Sequence, residues 1–278
     1  MTAPRLVFLH GFAGRPESWT QVLEHLPSSP ATLTPTLVGH DSPPVSQTPA
    51  KEAIHDSPPV SQTPAGAGFK AEVDRLAAVI DGAGFSASHL VGYSLGGRLA
   101  LGLLCRHPGL FSAATLIGTH PGLTTAEQRR ERVSSDEAWA RRLEDEGLEA
   151  FLDLWEEQPL FATQGPYERA AQRRLRRGLQ AAGLARAMRA LGLGRMPDYR
   201  ATLEKLPHPV CWVAGERDPK FSSLARDCAG ASPSARVQIV SGAGHNVVLE
   251  RPAAVAGVLF PPEARYRAEN NALEGSLT

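Results

Sequence analysis

The segment His89-Leu90-Val91-Gly92-Tyr93-Ser94-Leu95-Gly96-Gly97-Arg98 constrains this chain more than any other stretch. An apolar run feeds a Gly-x-Ser-x-Gly motif, and a helix-compatible stretch from Leu95 to His107 follows, which is the order of a strand, a sharp turn and a helix. Glycines 92 and 96 carry no Cβ where strand and helix must approach, so Ser94 can be held in a strained conformation with its hydroxyl exposed. The same turn aims the free N–H groups of the helix N-terminus at whatever lies beside that hydroxyl. Two readings meet these residues: a nucleophile elbow, and a glycine-rich turn of some other α/β protein.

The remaining apolar runs favour the first. Leu6-Val7-Phe8-Leu9, Ala31 to Val38, Ala113 to Ile117, Val210 to Ala214 and Arg236 to Val240 read as strands, most of them short continuous runs of the kind buried on both faces. Helical patterns alternate with them, Glu17 to Leu26 and Phe69 to Ile80 (Val73, Leu76, Ala77, Ile80 at helical spacing) among them. The expected fold class is therefore α/β, a mostly parallel sheet flanked by helices with right-handed crossovers. At 278 residues the chain is expected to form one domain, residues 1–278. Residues 123–206 are mostly helical in pattern, contain no strand signal and are too long for an ordinary connection, so they are expected to form a helical cap over the carboxyl edge of the sheet.

Two segments stand apart. His40-Asp41-Ser42-Pro43-Pro44-Val45-Ser46-Gln47-Thr48-Pro49-Ala50 recurs letter for letter as His55 to Ala65, so residues 40–65 form a duplicated, proline-rich stretch expected to be a surface loop. Residues 262–278 make a polar tail. Charge excludes other classes of partner: Lys+Arg and Asp+Glu both number 29, which leaves no overall field to attract nucleic acid or a membrane surface. No run approaches a membrane span, and no leader pattern opens the chain. Cys105, Cys211 and Cys228 are odd in number and widely spaced, as in a reduced cytoplasmic protein, and they suggest neither a disulfide framework nor a metal site.

Three titratable groups fall at strand ends on the edge where α/β folds place their ligands. Ser94 follows one strand, Asp218 follows Val210–Ala214 within Gly215-Glu216-Arg217-Asp218, and His245 follows Arg236–Val240 within Gly242-Ala243-Gly244-His245-Asn246. Their order along the chain, Ser, Asp, His, is that of the α/β-hydrolase triad. A serine hydroxyl is unreactive at neutral pH, so His245 is expected to accept its proton and Asp218 to hold the imidazole in the right tautomer. The backbone N–H groups of Phe12, in the loop after the first strand, and Leu95 are the candidate oxyanion donors. His10 is expected to be a hydrogen-bonded loop residue and not a base.

Gly92-Tyr93-Ser94-Leu95-Gly96-Gly97-Arg98, His120-Pro121-Gly122-Leu123, Trp155-Glu156-Glu157-Gln158-Pro159-Leu160-Phe161, Gly215-Glu216-Arg217-Asp218-Pro219-Lys220-Phe221 and Gly244-His245-Asn246 together resemble the MenH family, the 2-succinyl-6-hydroxy-2,4-cyclohexadiene-1-carboxylate synthases of menaquinone biosynthesis. The likeness runs from Leu6 to about Phe260. It implies a cofactor-free lyase on an α/β-hydrolase scaffold, eliminating pyruvate from a small anionic enolpyruvyl cyclohexene carboxylate, with the serine acting as a base. It also implies that Arg98, Arg132 and Arg176 bind the substrate's carboxylates, that Tyr93 and Trp155 supply aromatic contacts and that Gln158 supplies a polar one. Arg98 has support of its own, lying one helical turn past Ser94.

This chain departs from the family at the turn after the second strand, Val38-Gly39-His40-Asp41, and in the duplication that follows it. The rival enzyme is a hydrolase of esters or of a carbon-carbon bond in a ring-cleavage product, which uses the same triad. Arg98 and the arginines of the cap discriminate, since a neutral ester needs no guanidinium clamp. A non-catalytic receptor is a third reading, and such a protein could dispense with a triad member that this chain keeps.

Overall fold

The computed structural model describes residues 5–27, 29–41 and 68–260. Strands β1 (Arg5–Leu9), β2 (Ala31–Leu33), β3 (Ser88–Tyr93), β4 (Phe111–Ile117), β5 (Val210–Gly215) and β6 (Ala235–Val240) form one sheet in the order β2-β1-β3-β4-β5-β6. Every neighbouring pair is parallel. The chain thus starts near the middle of the sheet and reverses direction there, so the carboxyl ends of β1 and β3 lie side by side at the switch point, where open α/β sheets bind ligands.

Helices cover both faces. Helices α1 (Thr20–Glu24), α2 (Phe69–Gly82) and α3 (Leu95–Arg106) accompany the first half of the sheet. Between β4 and β5 come α4 (Ala126–Asp145), α5 (Gly147–Glu156), α6 (Pro166–Arg176), α7 (Ala181–Leu191) and α8 (Arg200–Leu203), and α9 (Pro219–Gly230), α10 (Val247–Glu250) and α11 (Pro252–Leu259) complete the set. Alternate strand residues feed two cores. Val7, Leu9, Leu90, Leu116 and Trp212 pack with α2, α3 and α9. Leu6, Phe8, Val91, Ile117 and Val213 pack with Trp19, Val22, α10 and α11. Burial on both faces explains the unbroken apolar runs of the inner strands. A third core, built from Ala140, Leu143, Phe151, Leu152, Leu184 and Met188, lies within α4, α5 and α7 and touches the main body at Ala13.

Two elements are shorter than their sequence pattern predicts. The second strand ends at Leu33, not Val38, because Pro35 has no N–H for a ladder. The first helical stretch opens as a 3-10 turn, Pro16–Trp19, before α1. Apart from its first two residues the duplicated segment 40–65 lies outside the described residues, as does the tail 262–278. No helix among the described residues is long and apolar enough to cross a membrane.

The switch point depends on glycine. A Cβ at Gly96 would stand 2.1 Å from the Leu9 carbonyl oxygen, and one at Gly92 2.5 Å from that of Gly96. Both neighbours are backbone, which cannot swing aside. Gly96→Ala is expected to destabilise the protein by roughly 2–3 kcal/mol through overpacking, read as a lower urea midpoint at unchanged slope.

Candidate active site

Ser94 links β3 to α3 at φ 51° and ψ −106°, a region that a non-glycine residue enters at a cost of about 1–3 kcal/mol. The strain is held by the sheet itself: the Ser94 N–H donates to the Ile117 carbonyl at 2.8 Å, and the Ser94 carbonyl accepts the Arg98 N–H at 3.0 Å. The side chain is left standing above the carboxyl edge. There its Oγ lies 3.1 Å from His245 Nε2, while His245 Nδ1 lies 2.8 Å from Asp218 Oδ2. An Nδ1–H donated to the carboxylate leaves Nε2 with a lone pair for the serine proton. The second Asp218 oxygen caps α9 by accepting the Phe221 N–H at 3.2 Å, which fixes the carboxylate's rotation.

The imidazole of His245 is packed on three sides. Phe221 lies 4.4 Å from it and Tyr93 5.6 Å, centroid to centroid, and Gly118 (φ 55°) leaves room where a Cβ would come within 2.9 Å of Cε1. Its loop is tied down by Glu250, which accepts the Gly244 N–H at 2.7 Å and the Thr163 hydroxyl at 3.2 Å.

Opposite the serine, the loop after β1 presents Phe12. The Gly11 carbonyl accepts both the Gly14 N–H (3.0 Å) and the His10 Nδ1–H (2.9 Å). In a planar trans peptide this turns the Phe12 N–H the other way. Neither it nor the Leu95 N–H, first in α3, is taken by an acceptor among the described residues. Burial lowers the pKa of His10 to about 3, helped by the nearby His40, so His10 stays neutral and serves as the expected loop tie.

Two lobes meet at Phe12, Ser94, Trp155, Leu160 and His245. The smaller, about 110 Å³, is also walled by Leu95, Arg98, Arg132 and His120. The larger, about 220 Å³, reaches past Tyr93 and Arg176 toward Gln172 and Gln21. A wider open cleft of about 900 Å³ along α4 shares no residue with either and is bordered by charged groups such as Arg130, Arg141 and Asp145.

The cations differ in their partners. Arg98 is partly buried and donates to the Leu191 carbonyl at 2.7 Å, and among the described residues no carboxylate forms a salt bridge with it. Burial first, then the like charge of Arg132, push its pKa down to about 9, and the Asp136 carboxylate opposes them. A guanidinium keeps its proton at neutral pH, so Arg98 stays a cation. Arg132 pairs with Asp136 at 2.7 Å, and the other Asp136 oxygen is buried without a hydrogen-bond partner among the described residues. Burial raises the Asp136 pKa and Arg132 opposes it. Arg176, 3% exposed, donates to Glu156 at 2.7 Å and to the Ala13 carbonyl at 3.4 Å.

Two other cap arginines are held between helices: Arg173 pairs with Glu149, Asp153 and Glu156, and Arg189 with Glu137 and Glu144. Trp155 stacks on Phe151 (5.3 Å, 21°), and its buried Nε1–H, on a side chain that walls both lobes, has no hydrogen-bond partner among the described residues. Gln158 is not brought to the site. Its Nε2–H₂ donates to the Trp155 carbonyl at 3.2 Å, which also accepts the Glu157 N–H at the end of α5, and it walls neither lobe.

Asp136 and Glu156, the counterions of two of these arginines, have no role in the sequence pattern, although the i, i+4 spacing of Arg132 and Asp136 is a usable signal for the first. Gly118 and His120 likewise line the site without a role assigned from sequence. His120 accepts the Gly122 N–H on Nδ1 at 3.1 Å, and its pKa is lowered to about 4 by burial and then by Lys220, Arg200, Arg98 and Arg132. No group of three or more His, Cys, Asp or Glu side chains among the described residues is placed to hold a metal ion.

A sheet of this order, with a serine at a strained strand-to-helix turn and a histidine and an acid at two later strand ends, is that of the α/β hydrolases, and residues 6–258 match the model of the alpha/beta hydrolase family. The chain is 36% identical over 256 residues to the 2-succinyl-6-hydroxy-2,4-cyclohexadiene-1-carboxylate synthase of Enterobacter sp. (strain 638), which covers 92% of this chain and 90% of that one. It is 35% identical over 256 residues to the enzyme of the same name from Escherichia coli O1:K1, covering 92% of each. Among solved structures it is similar to MenH from S. aureus, with TM-score 0.80, 27% identity and 93% and 92% of the two chains covered. An esterase from Thermogutta terrifontis shares the fold at TM-score 0.72 and 20% identity over 93% and 88%. The chain belongs to the 2-succinyl-6-hydroxy-2,4-cyclohexadiene-1-carboxylate synthase family of α/β hydrolases.

Three histidines around the site, His10, His40 and His120, have folded pKa values near 3, 4 and 4, below their ordinary 6.5. The unfolded chain then binds more protons than the folded one between those values and 6.5, so stability falls as pH drops through that window. Urea unfolding from pH 7 to pH 4.5 is expected to show this loss, and His40→Gln is expected to lessen the pH slope.

Proposed function

We propose that this chain is a lyase that releases pyruvate from 2-succinyl-5-enolpyruvyl-6-hydroxy-3-cyclohexene-1-carboxylate and leaves 2-succinyl-6-hydroxy-2,4-cyclohexadiene-1-carboxylate. The observation that carries this reading is the placement of Arg98 and Arg132 on the wall of the lobe that holds Ser94, with Arg98 partly buried and held in no salt bridge with a carboxylate among the described residues. A site that desolvates a guanidinium and leaves it unpaired is matched to an anionic ligand and poorly matched to a neutral ester. Three carboxylates on the substrate answer to Arg98, Arg132 and Arg176. Family membership points to the same reaction.

In the proposed mechanism His245 takes the Ser94 proton, and the serine oxygen in turn removes the proton from ring carbon 2, beside the succinyl ketone. Charge develops on that ketone oxygen, where the Phe12 and Leu95 N–H groups receive it. The electron pair forms the bond between carbons 2 and 3, the ring double bond moves to carbons 4 and 5, and the bond from carbon 5 to the enolpyruvyl oxygen breaks. The departing enolate takes a proton and becomes pyruvate. Asp218 steadies the imidazolium throughout. Tyr93 and Trp155 supply walls against the ring, and Trp155 Nε1–H is an available donor to it. The three unpaired cysteines, Cys105, Cys211 and Cys228, suit a reducing, cytoplasmic setting.

Pyruvate release coupled to lactate dehydrogenase tests the assignment. Ser94→Ala and His245→Ala are each expected to lower kcat by roughly 10²–10⁴-fold, the usual contribution of a positioned acid-base group. Rapid cleavage of an aryl ester with no pyruvate from the enolpyruvyl acid would replace the lyase with a hydrolase. Arg98→Lys is expected to cut kcat/KM by roughly 10–100-fold, since an ammonium cannot reproduce a planar fork.

A further inference from the structure

The turn after β2 does more than close a crossover. His40 is 1% exposed, and its Nε2 accepts the Ala13 N–H at 3.0 Å. A backbone amide can only donate, so Nε2 carries the lone pair, and the ring proton sits on Nδ1, facing the Val38 carbonyl at 3.0 Å. That tautomer is enforced from both sides. Burial lowers the ring's pKa to about 4, which keeps the imidazole neutral.

The turn itself is over-determined. The Val38 N–H donates to the fully buried Glu72 at 3.0 Å, and the His40 N–H donates to the Leu37 carbonyl at 3.1 Å. Gly39 (φ 78°) lies so close to α7 that a Cβ would stand 2.3 Å from the Gly183 carbonyl oxygen. His40 therefore reaches the loop after β1 from a rigid base.

What it holds there is strained. Ala13 sits at φ 52°, a left-handed conformation unfavourable to any residue with a Cβ. Its N–H is taken by His40 and its carbonyl by Arg176 at 3.4 Å. Phe12 lies between two peptide planes. The Gly11–Phe12 plane, which carries the candidate oxyanion donor, is held at the Gly11 carbonyl, and the Phe12–Ala13 plane is held by His40. The Phe12 ring also packs edge-on against the His40 ring, with centroids 5.4 Å apart at 85°.

We propose that His40 is a positioning residue for the elimination, holding the Ala13 N–H so that the Phe12 N–H stays aimed at the oxyanion beside Ser94. The proposal rests on the lyase reading for its chemistry and on the loop geometry for its structure. Without the imidazole acceptor, a buried N–H loses its partner and Ala13 is free to leave its left-handed conformation, turning Phe12 with it. The donor works on charge present only in the transition state, so its misalignment lowers kcat and leaves KM almost unchanged.

The test compares His40→Phe and His40→Ala, which remove the acceptor, with His40→Gln, whose Oε1 can take the place of Nε2. Pyruvate release and hydrogen exchange of a peptide covering residues 9–15 are measured on each. The first two variants are expected to lose roughly 10–100-fold in kcat, somewhat less than deletion of an oxyanion donor, with KM within about threefold and faster exchange at Ala13. His40→Gln is expected to recover most of both. Equal losses in all three variants, or a loss confined to KM, would overturn the proposal. Should the acceptor-free variants not fold, wild-type exchange and kcat in His40→Gln support it, and a His40→Gln enzyme with either badly impaired overturns it. Absence of pyruvate release by the wild-type protein would instead remove the lyase reading, and the exchange measurement would still judge the loop.

Discussion

The site depends on how closely the start of α3 approaches β1 and β3. That contact is possible only because Gly92 and Gly96 present bare backbone to backbone, with the Leu9 carbonyl where a side chain would otherwise be. It goes with the left-handed conformation of Ser94, leaves the Leu95 N–H as the first of α3, and sets the β1 loop beside the serine. The sheet supplies the energy that holds the strain, through the Ser94–Ile117 hydrogen bond and the two cores packed beneath it. Asp218 and His245 then need only arrive from β5 and β6 at the same edge.

Charge is managed by a different rule. The cap holds several of its arginines, Arg173 and Arg189 among them, against acids on neighbouring helices, and such pairs contribute little individually where they are exposed. Arg176 is set deeper, and Arg98 and Arg132 line the lobe beside Ser94. Arg132 and Arg176 carry their own counterions, Asp136 and Glu156, while Arg98 donates to a carbonyl and, among the described residues, forms no salt bridge. On the proposed reading, a hydrolase scaffold is turned toward a polyanion by cations placed beside the serine, with no change to the triad.

Much of this was legible in the sequence, for identifiable reasons. β1, β3, β4 and β5 are buried on both faces and read as unbroken apolar runs, and the elbow states its own geometry through its glycines. Ser94, Asp218 and His245 follow strands that the sheet order brings together at one edge. β2 was overdrawn because its apolar pattern continues past Pro35, where the ladder cannot. Gln158 rested on resemblance alone, and its amide turns back to the carbonyl of Trp155. Gly118 beneath His245, and His40 behind Ala13, are contacts between residues distant in sequence, which no local pattern announces.

The most direct test of the central claim, that a hydrolase triad here removes a carbon-bound proton, uses substrate deuterated at ring carbon 2. The expected result is slower turnover than with protium and one deuteron lost to solvent for each pyruvate released, with both events abolished together in Ser94→Ala. Pyruvate released while the label stays in the ring product, or released equally fast by Ser94→Ala, would contradict it.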